Sequence, residues 1–145
     1  MSTVNEKKGC IFCNRVEEDD RSSLIVMRGE NCFAILNLFP YSTGHTMIAP
    51  YKHTGTIENL DDETLLEMIS MTRRCMSAIR KGFNPDGFNL GINISRVAGA
   101  GIVEHVHLHI VPRWAGDANF MTVCADTRVL PLSLEQVWEK IRAEL

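Results

Sequence analysis

The stretch "VEHVHLHIVPR", residues 103–113, contains three of the chain's five histidines, at every second position. Val106, Leu108 and Ile110 lie between them or follow them, and this period of two predicts a β-strand over residues 105–112. Side chains of a strand point alternately to its two faces. We therefore expect the apolar residues in the core and the three histidines in a row on one exposed face.

A row of imidazoles is suited to particular chemistry. Because the unperturbed pKa of histidine is about 6.5, such a row supplies a free lone pair, a hydrogen-bond donor and a proton carrier together at neutral pH. Phosphoryl and nucleotidyl transfer need these three groups. Two alternatives stay open: a polar strand face that happens to contain histidine, and a metal site that uses two or three of the imidazoles.

Turn residues divide the rest of the chain into short strands and two helices. Four further runs are β-rich or alternate in polarity, which predicts strands. They are residues 24–29, 32–37, 45–50 and 88–95. Gly29 and Glu30 separate the first two runs, as in a hairpin.

Apolar residues at helical spacing predict an amphipathic central helix over residues 61–81. These residues are Leu65, Met68, Ile69, Cys75, Met76 and Ile79. Asp61 or Asp62 is suited to cap the start of this helix, and Gly82 is suited to end it.

A second helix is predicted at the end of the chain. Ser133 and Gln136 fit a capping box, so residues 134–144 should be helical. Five strands and two helices predict an α+β fold, with a mainly antiparallel five-stranded sheet that carries the central and C-terminal helices on one face.

Length, charge and composition limit the possible functions. At 145 residues and 16.3 kDa the chain predicts one domain, residues 1–145, with a flexible start at 1–8 and a C-terminal extension, 115–145, that contains the last helix. A net charge of −3 provides no broad basic surface, so we expect a small-molecule site, no nucleic acid and no membrane partner. The sequence contains neither a signal-like start nor an apolar run of about 20 residues, which favours the cytoplasm.

Cys10 and Cys13 have the C-x-x-C spacing that lets two thiolates hold one tetrahedral metal ion, with two further ligands. The chain has five cysteines, and an odd number in a reducing compartment argues against a disulfide framework. Unliganded thiols and a redox pair are the alternatives. The redox pair is disfavoured because a thioredoxin-like motif follows a strand and opens a helix, which this segment does not predict.

The run "HVHLHIVPR" resembles the motif of the histidine triad (HIT) family, His-φ-His-φ-His-φ-φ, where φ is apolar. The resemblance extends from about Cys10 to Trp114 and includes "NLFPYSTGHTMIAP". Members of that family are homodimeric α+β proteins that bind a nucleotide in a groove and cleave it at the α-phosphate through a covalent nucleotidyl-histidine. The resemblance therefore implies a nucleotide substrate and a homodimer.

By position in the motif, the resemblance implies that His107 is the nucleophile, which would split one difficult displacement into two easier steps. His109 is expected to bind phosphate oxygens and to assist proton transfer to the leaving group. His105 is either a third catalytic residue or a metal ligand, because some family members complete a zinc site with the first triad histidine and a histidine after the third strand. In this chain that structural zinc site would consist of Cys10, Cys13, His53 and His105.

Nucleotide contacts are expected from residues outside the triad. They are Asn37, His45, Asn93, Gly99, Gly101, Arg113 and Trp114. The resemblance assigns Asn37 to the ribose and His45 to support of the site. The alternatives are that Asn37 only ends a strand and that His45 is a buried, hydrogen-bonded histidine. The two glycines belong to a tight loop whose backbone N–H groups would approach an anionic oxygen closely. Asn93 would reach the phosphates or fasten that loop.

Two residues directly after the triad have side chains suited to a nucleotide. The guanidinium of Arg113 could pair with a distal phosphate, and the indole of Trp114 could stack on an adenine. Packing at the surface or at a dimer contact is the alternative for both. Arg96, in the loop before the triad, is a second candidate cation for a polyphosphate chain.

Segments around the triad indicate a branch of the family. Gly101 stands where the fragile histidine triad branch has a glutamine, whereas "PRWAGDANFMTV" and "TRVLP" look like bacterial-type diadenosine tetraphosphate phosphorylases and hydrolases. The expected reaction is nucleotidyl transfer from diadenosine tetraphosphate, completed by phosphate or water, with Mg²⁺ accompanying the polyphosphate. Hydrolysis of adenosine phosphoramidates, and nucleotide binding by a zinc module with little catalysis, are the alternatives.

Overall fold

The computed structural model describes residues 9–117 and 132–145. The flexible start predicted for residues 1–8, and residues 118–131 of the C-terminal extension, lie outside the described residues. In chain order the elements are α1 (Ile11–Arg15), α2 (Asp20–Ser23), β1 (Ile25–Arg28), β2 (Cys32–Leu36), β3 (Thr46–Pro50), a 3₁₀ turn (Ile57–Asn59), α3 (Asp62–Phe83), β4 (Gly87–Ile92), a second 3₁₀ turn (Arg96–Ala98), β5 (Leu108–Arg113) and α4 (Leu134–Glu144).

Five strands form one sheet in the order β1-β2-β3-β5-β4, and every neighbouring pair is antiparallel. The predicted α+β fold with a five-stranded antiparallel sheet is therefore confirmed. His109 of β5 pairs with Met47 of β3 on one side and with Gly91 of β4 on the other. The backbone at His109 is thus fixed inside the sheet, whereas β1 and β4 are its edge strands.

The two faces of the sheet carry different apolar clusters. All of β2 is buried, and its side chains alternate between the clusters. On one face α3 and α4 cover the larger cluster, which contains Val106, Leu108 and Ile110 as predicted. On the other face Cys10 and Phe12 close a smaller cluster over β1, β2 and β3. The expectation that helices lie on one face therefore holds for α3 and α4 but not for α1.

A side chain caps the start of α3, and a left-handed backbone conformation ends it. The side chain of Asp61 accepts a hydrogen bond from the N–H of Thr64 at 2.7 Å, as predicted. Gly82 does not end the helix but lies inside it, and the chain leaves the helix at Asn84, which has a left-handed φ of 49°. Asparagine tolerates that conformation, and Pro85 cannot continue the helix.

The outer side of α3 carries exposed apolar residues. Ile69, which the helical spacing places in the core, is 59% exposed. It lies about 100° around the helix from the buried Met68, so it falls outside the buried stripe. Leu66 beside it is exposed as well.

The capping box predicted at the start of α4 is confirmed, with Ser133 and Gln136 in reciprocal hydrogen bonds. The indole N–H of Trp138 donates to the carbonyl oxygen of Ile25 at 2.8 Å, which attaches α4 to β1. Across residues 9–117 and 132–145, none of the helices has the length and apolar character needed to cross a membrane.

Candidate active site and metal centre

The histidine-rich segment differs from the predicted strand in two respects. β5 begins at Leu108, so His105 and His107 precede the strand and His109 alone belongs to it. His105 is fully buried and His107 is 4% exposed, so the expected row on one exposed face is wrong. The reason is Phe12, whose ring centroid lies 5.1 Å from that of His105 and 5.0 Å from that of His107.

Four sulfur and nitrogen ligands converge beside this segment: Cys10, Cys13, His53 and His105. Nδ1 of His105 lies 3.3 Å from Sγ of Cys10 and 3.6 Å from Sγ of Cys13. Nδ1 of His53 lies 3.4 Å from Sγ of Cys13 and 3.3 Å from Nδ1 of His105. The ligand atoms of one tetrahedral zinc ion stand roughly 3.3–3.8 Å apart. The four distances given above lie in or near this range, and all four ligand atoms lie within 4.8 Å of one another, so the cluster is suited to a tetrahedral ion.

The protonation of His105 also fits a metal ligand. Its Nε2–H donates to the carbonyl oxygen of Pro50 at 2.7 Å, so the lone pair of the neutral ring is on Nδ1, beside the thiols. Burial lowers the pKa of His105 to about 4, which keeps the ring neutral at physiological pH. Thiolates and imidazoles are ligands for zinc rather than for magnesium.

Backbone contacts hold the loop after β3 against the triad segment. His53 lies in this loop, and the next carbonyl, that of Thr54, accepts the N–H of Val106 at 2.7 Å. One residue further, a Cβ on Gly55 would stand 2.6 Å from the carbonyl oxygen of Val103. Only glycine allows this approach of the two backbones, and the approach brings two histidine ligands from distant parts of the chain together.

His107 has one ring nitrogen engaged and one available. Its Nδ1–H donates to the carbonyl oxygen of His105 at 2.9 Å, which leaves the lone pair on Nε2. Within the part of the chain that the structure describes, Nε2 has no hydrogen-bond partner, and His107 lines a groove. Burial lowers the pKa of His107 below its usual 6.5, so the ring is neutral at physiological pH.

The proton position on His109 is set by a chain of two hydrogen bonds. The backbone N–H of Tyr41 donates to Nδ1 of His45 at 3.2 Å, so neutral His45 carries its proton on Nε2. That Nε2–H donates to Nδ1 of His109 at 2.9 Å, so neutral His109 carries its own proton on Nε2. Burial lowers the pKa of both histidines to about 4. His107 thus offers a lone pair where His109 offers a donor.

A groove of about 490 Å³ lies beside these two histidines. Its lining comes from α1, from the end of β2 and the residues after it, and from the loop before the triad. Three residues predicted to contact a nucleotide, Asn37, Gly99 and Gly101, belong to this lining together with His107 and His109. A concave site with apolar walls and a few convergent polar groups is typical of a small-molecule site.

A second groove of about 440 Å³ also borders His109, and Asn93 and Arg113 line it. The guanidinium of Arg113 is not isolated there. It pairs with the carboxylate of Asp117 at 2.8 Å and donates to the side chain of Asn89 at 2.7 Å. The two grooves share His109 and Tyr41, so a ligand longer than one nucleotide could extend across His109.

Two other predicted contacts lie elsewhere, and Asn37 has a second role. Trp114 and Arg96 line neither of the two grooves. Trp114 contributes its backbone N–H, which donates to the carboxylate of Asp117 at 3.0 Å. The side-chain oxygen of Asn37 accepts the N–H of Phe39 at 2.9 Å, so this residue shapes the turn after β2 as well as the groove.

Sequence reasoning missed much of the groove lining, including Phe12, Arg15 and Tyr41. Phe12 could have been found, because a site that uses both cysteines of "CIFC" brings the two residues between them, Ile11 and Phe12, near His105. Tyr41 stacks on the ring of His109 at a centroid distance of 6.2 Å. The turn sequence "PYSTG" contains no signal for that contact.

A family model of the HIT domain matches residues 18–116, which is more than half of the chain. The chain belongs to the HIT domain family. The match begins after Cys10 and Cys13, so membership does not depend on the metal-site cysteines. It includes the whole histidine segment, His45 and both grooves apart from the contributions of Gly9, α1 and Asp117.

This HIT protein resembles both a curated relative and solved structures. AP-4-A phosphorylase of Mycobacterium tuberculosis is 38% identical over 125 residues, which cover 86% of this chain and 64% of that protein. The chain therefore spans less than two thirds of that relative's length. A Zn-bound histidine triad family protein from Mycobacterium smegmatis aligns with a TM-score of 0.76 and 29% identity, over 95% of this chain and 94% of that one. A hypothetical histidine triad nucleotide-binding protein from Sulfolobus tokodaii aligns with a TM-score of 0.75 and 29% identity, over 93% and 91%.

Proposed function

We propose that this HIT protein transfers a nucleotidyl group from a dinucleoside polyphosphate to phosphate or water, through a covalent nucleotidyl-histidine. The observation that carries the proposal is the state of His107. Its Nδ1–H is held by the carbonyl oxygen of His105, and its Nε2 is left for the groove. A neutral imidazole with a fixed tautomer and an accessible lone pair is an activated nucleophile.

The first step forms one bond and breaks one. The Nε2 lone pair of His107 attacks the α-phosphorus, and the P–O bond to the rest of the polyphosphate breaks in line with it. The imidazole becomes positively charged, and the carbonyl oxygen of His105 stabilises that charge by accepting from Nδ1–H. In the second step water or phosphate attacks the same phosphorus, the P–N bond breaks, and His107 regains its Nε2 lone pair; when water attacks, it releases a proton to solvent.

His109 is suited to hold the phosphate during both steps. The hydrogen bonds through His45 direct its Nε2–H outward, as a donor to a phosphate oxygen. Backbone N–H groups of the loop at residues 99–101 would add donors, because glycine lets the backbone approach an anionic oxygen closely. In a site with little water such fixed donors stabilise developing negative charge more strongly than solvent does.

The two grooves suggest how a two-nucleoside substrate lies. The larger groove, with Asn37 at the ribose, would hold the nucleotide that is transferred. The smaller groove, with Asn93 and Arg113, would hold the departing polyphosphate. The likeness to an AP-4-A phosphorylase supports diadenosine tetraphosphate as the substrate. Magnesium would enter bound to the phosphates, since the one cluster of candidate metal ligands in the described chain contains thiols and imidazoles.

We further propose a structural zinc ion held by Cys10, Cys13, His53 and His105. The ligand spacing and the Zn-bound relative from Mycobacterium smegmatis support it. With four protein ligands such an ion is a closed structural cross-link rather than a catalyst. In this proposal His105 is a metal ligand, and it contributes to the reaction only through its backbone carbonyl.

A homodimer in the cytoplasm completes the proposal. β4 is an edge strand, and Leu90 on it is exposed, as are Leu66 and Ile69 on α3. A second copy that covered these residues would remove apolar surface from water. Within the described residues, Cys10, Cys32 and Cys75 form no disulfide, which agrees with a reducing compartment.

Product analysis tests the reaction directly. Diadenosine tetraphosphate is incubated with the protein with and without inorganic phosphate, and the nucleotides are separated. ADP plus ATP, formed only with phosphate, identifies a phosphorylase; AMP plus ATP identifies a hydrolase. Turnover of an adenosine phosphoramidate with a far higher kcat/KM would contradict the proposed substrate and favour the phosphoramidate hydrolase, which uses the same nucleophile.

A further inference from the structure

The short helix α1 connects the metal-ligand cluster to the groove. Cys10 directly precedes this helix and Cys13 lies inside it, and both thiols contact the ligand histidines. Ile11, Phe12 and Arg15 of the same helix line the groove beside His107. One turn of helix therefore has metal ligands on one side and a wall of the binding groove on the other.

Helix α1 has little stability of its own. It contains five residues, and the side chain of Cys10 makes no capping hydrogen bond. Isolated helices of this length do not form in water. Its position therefore depends on what its side chains contact: Phe12 in the smaller apolar cluster, Arg15 at the carbonyl oxygen of Ser23, and the two thiols at the histidines.

The opposite wall of the groove ends at a metal ligand too. Gly99, Gly101, Ile102 and Glu104 line the groove, and the next residue is His105. An ion held by the four ligands would join the two walls at this point. Phe12 lies across the junction, with its ring in contact with the ligand His105 and with His107 in the groove.

We propose that metal binding at the Cys10–Cys13 cluster and nucleotide binding in the groove are coupled, with Phe12 as the positioning residue that links them. This rests on the proposed function only in that a nucleotide occupies the groove. The ion fixes α1 against the loop before the triad, and Phe12 then holds His107 and the groove wall in the geometry that binds the nucleotide. Loss of the ion releases α1 and weakens nucleotide binding.

Thermodynamic linkage makes the coupling measurable from either side. If the ion increases nucleotide affinity by some factor, the nucleotide must increase affinity for the ion by the same factor. Couplings between two sites in one domain are typically 5–150-fold, and we expect a factor of about ten here. Neither measurement needs turnover, so each is independent of which reaction the protein catalyses.

The experiment measures the affinity for AMP by calorimetry, with zinc-loaded protein and with protein freed of metal by a chelator. We expect AMP to bind about tenfold more weakly without zinc. The reciprocal measurement uses loaded protein alone: saturating AMP should lower the zinc dissociation constant, read by competition with a colorimetric chelator, by the same factor. This second measurement covers the case in which the metal-free protein unfolds.

A pair of variants tests the role of Phe12. Phe12→Leu keeps an apolar side chain in the cluster but loses the ring that contacts both histidines; it should still bind zinc, with the coupling reduced to less than about threefold. Phe33→Leu is the matched control, because Phe33 is buried in the same cluster but its ring pairs with those of Phe12 and Tyr51. The control should keep the tenfold factor. If Phe12 only filled the cluster, both variants should change the coupling to the same extent.

Three results would overturn the inference. Equal AMP affinity with and without zinc, together with a zinc affinity that ignores AMP, would exclude the coupling. Undiminished coupling in Phe12→Leu would exclude Phe12 as the link. Failure of the zinc-loaded protein to bind AMP at all would overturn both this inference and the proposed function, whereas equal affinities would leave the proposed function intact.

Discussion

Two histidines separated by one residue have opposite surroundings in this protein. His105 has both ring nitrogens engaged, Nε2 by the carbonyl oxygen of Pro50 and Nδ1 by the thiol cluster. His107 has Nδ1 engaged by a carbonyl and Nε2 left for the groove. Both rings are buried and contact Phe12. Burial is thus common to both, and the partner of the second nitrogen separates a candidate metal ligand from a candidate nucleophile.

The largest expected effect comes from removing the imidazole of His107, whose Nε2 faces the groove. His107→Ala should lower kcat for diadenosine tetraphosphate by about 10⁴-fold or more, since no other group supplies the attacking lone pair. Steady-state kinetics measures the loss. Calorimetry should find AMP binding within about tenfold of the unmodified protein, because the other residues that line the groove are unchanged. Turnover within a factor of ten of normal would mean that the nucleophile is elsewhere.

The metal-ligand cluster that contains His105 should affect the stability of the fold rather than the chemical step. Cys10→Ala should lose the metal ion and at least about 3 kcal/mol of unfolding free energy, because a ligand present at a thousand times its dissociation constant contributes about 4 kcal/mol. Cys75→Ala is the matched control: both cysteines are fully buried, but Cys75 lies in the larger cluster away from the metal ligands. Zinc content by mass spectrometry and urea unfolding distinguish them. A Cys10 variant no less stable than the control would exclude a structural ion.

A smaller effect is expected where one histidine positions another. His45→Phe removes the donor to His109 and should lower kcat by about 10–100-fold, the range typical of partners that orient a functional group. His45→Gln retains an N–H that can reach His109 and should recover part of the loss. Equal activities of the two variants would show that the hydrogen bond to His109 is without consequence.

The smallest expected effect is a pH dependence of stability. The pKa of His45 is lowered by burial to about 4 in the folded protein, from 6.5. Between these values the unfolded chain binds a proton that the folded chain excludes, so stability falls as pH falls from about 6.5 toward 4 and is constant above that range with respect to this group. Urea unfolding at neutral pH and at about pH 5 measures the decrease in unfolding free energy between the two conditions. This decrease should be about 1–2 kcal/mol smaller in His45→Gln than in the unmodified protein. An identical loss in both proteins would contradict the neutral, buried state of His45.

Local pattern predicted most of the fold. Val106, Leu108 and Ile110 enter the core as their alternation requires, and the capping residues Asp61 and Ser133 lie where α3 and α4 begin. The ends of elements were less predictable: Gly82 stays inside α3 because Asn84 adopts the left-handed conformation that ends it. A glycine permits such an ending but does not require one.

Pattern predicted the members of the site but not their environment. The C-x-x-C spacing and the family resemblance together predicted one cluster of four metal ligands, and the structure contains that cluster. The exposed row of histidines failed because a period of two fixes the direction of side chains, not what covers them. That cover is Phe12, from a segment almost a hundred residues earlier, and such tertiary contacts leave no local signal in the sequence.

The most direct test of the central claim is to detect the covalent intermediate on His107. The protein is mixed with diadenosine tetraphosphate in the absence of inorganic phosphate, quenched in alkali to preserve a phosphorus–nitrogen bond, and analysed by intact-mass and peptide mass spectrometry. We expect one adenylyl group on the peptide that contains residues 105–113, absent in His107→Ala. Continued turnover with no adduct on this peptide, or an adduct that persists in His107→Ala, would contradict a covalent intermediate on His107.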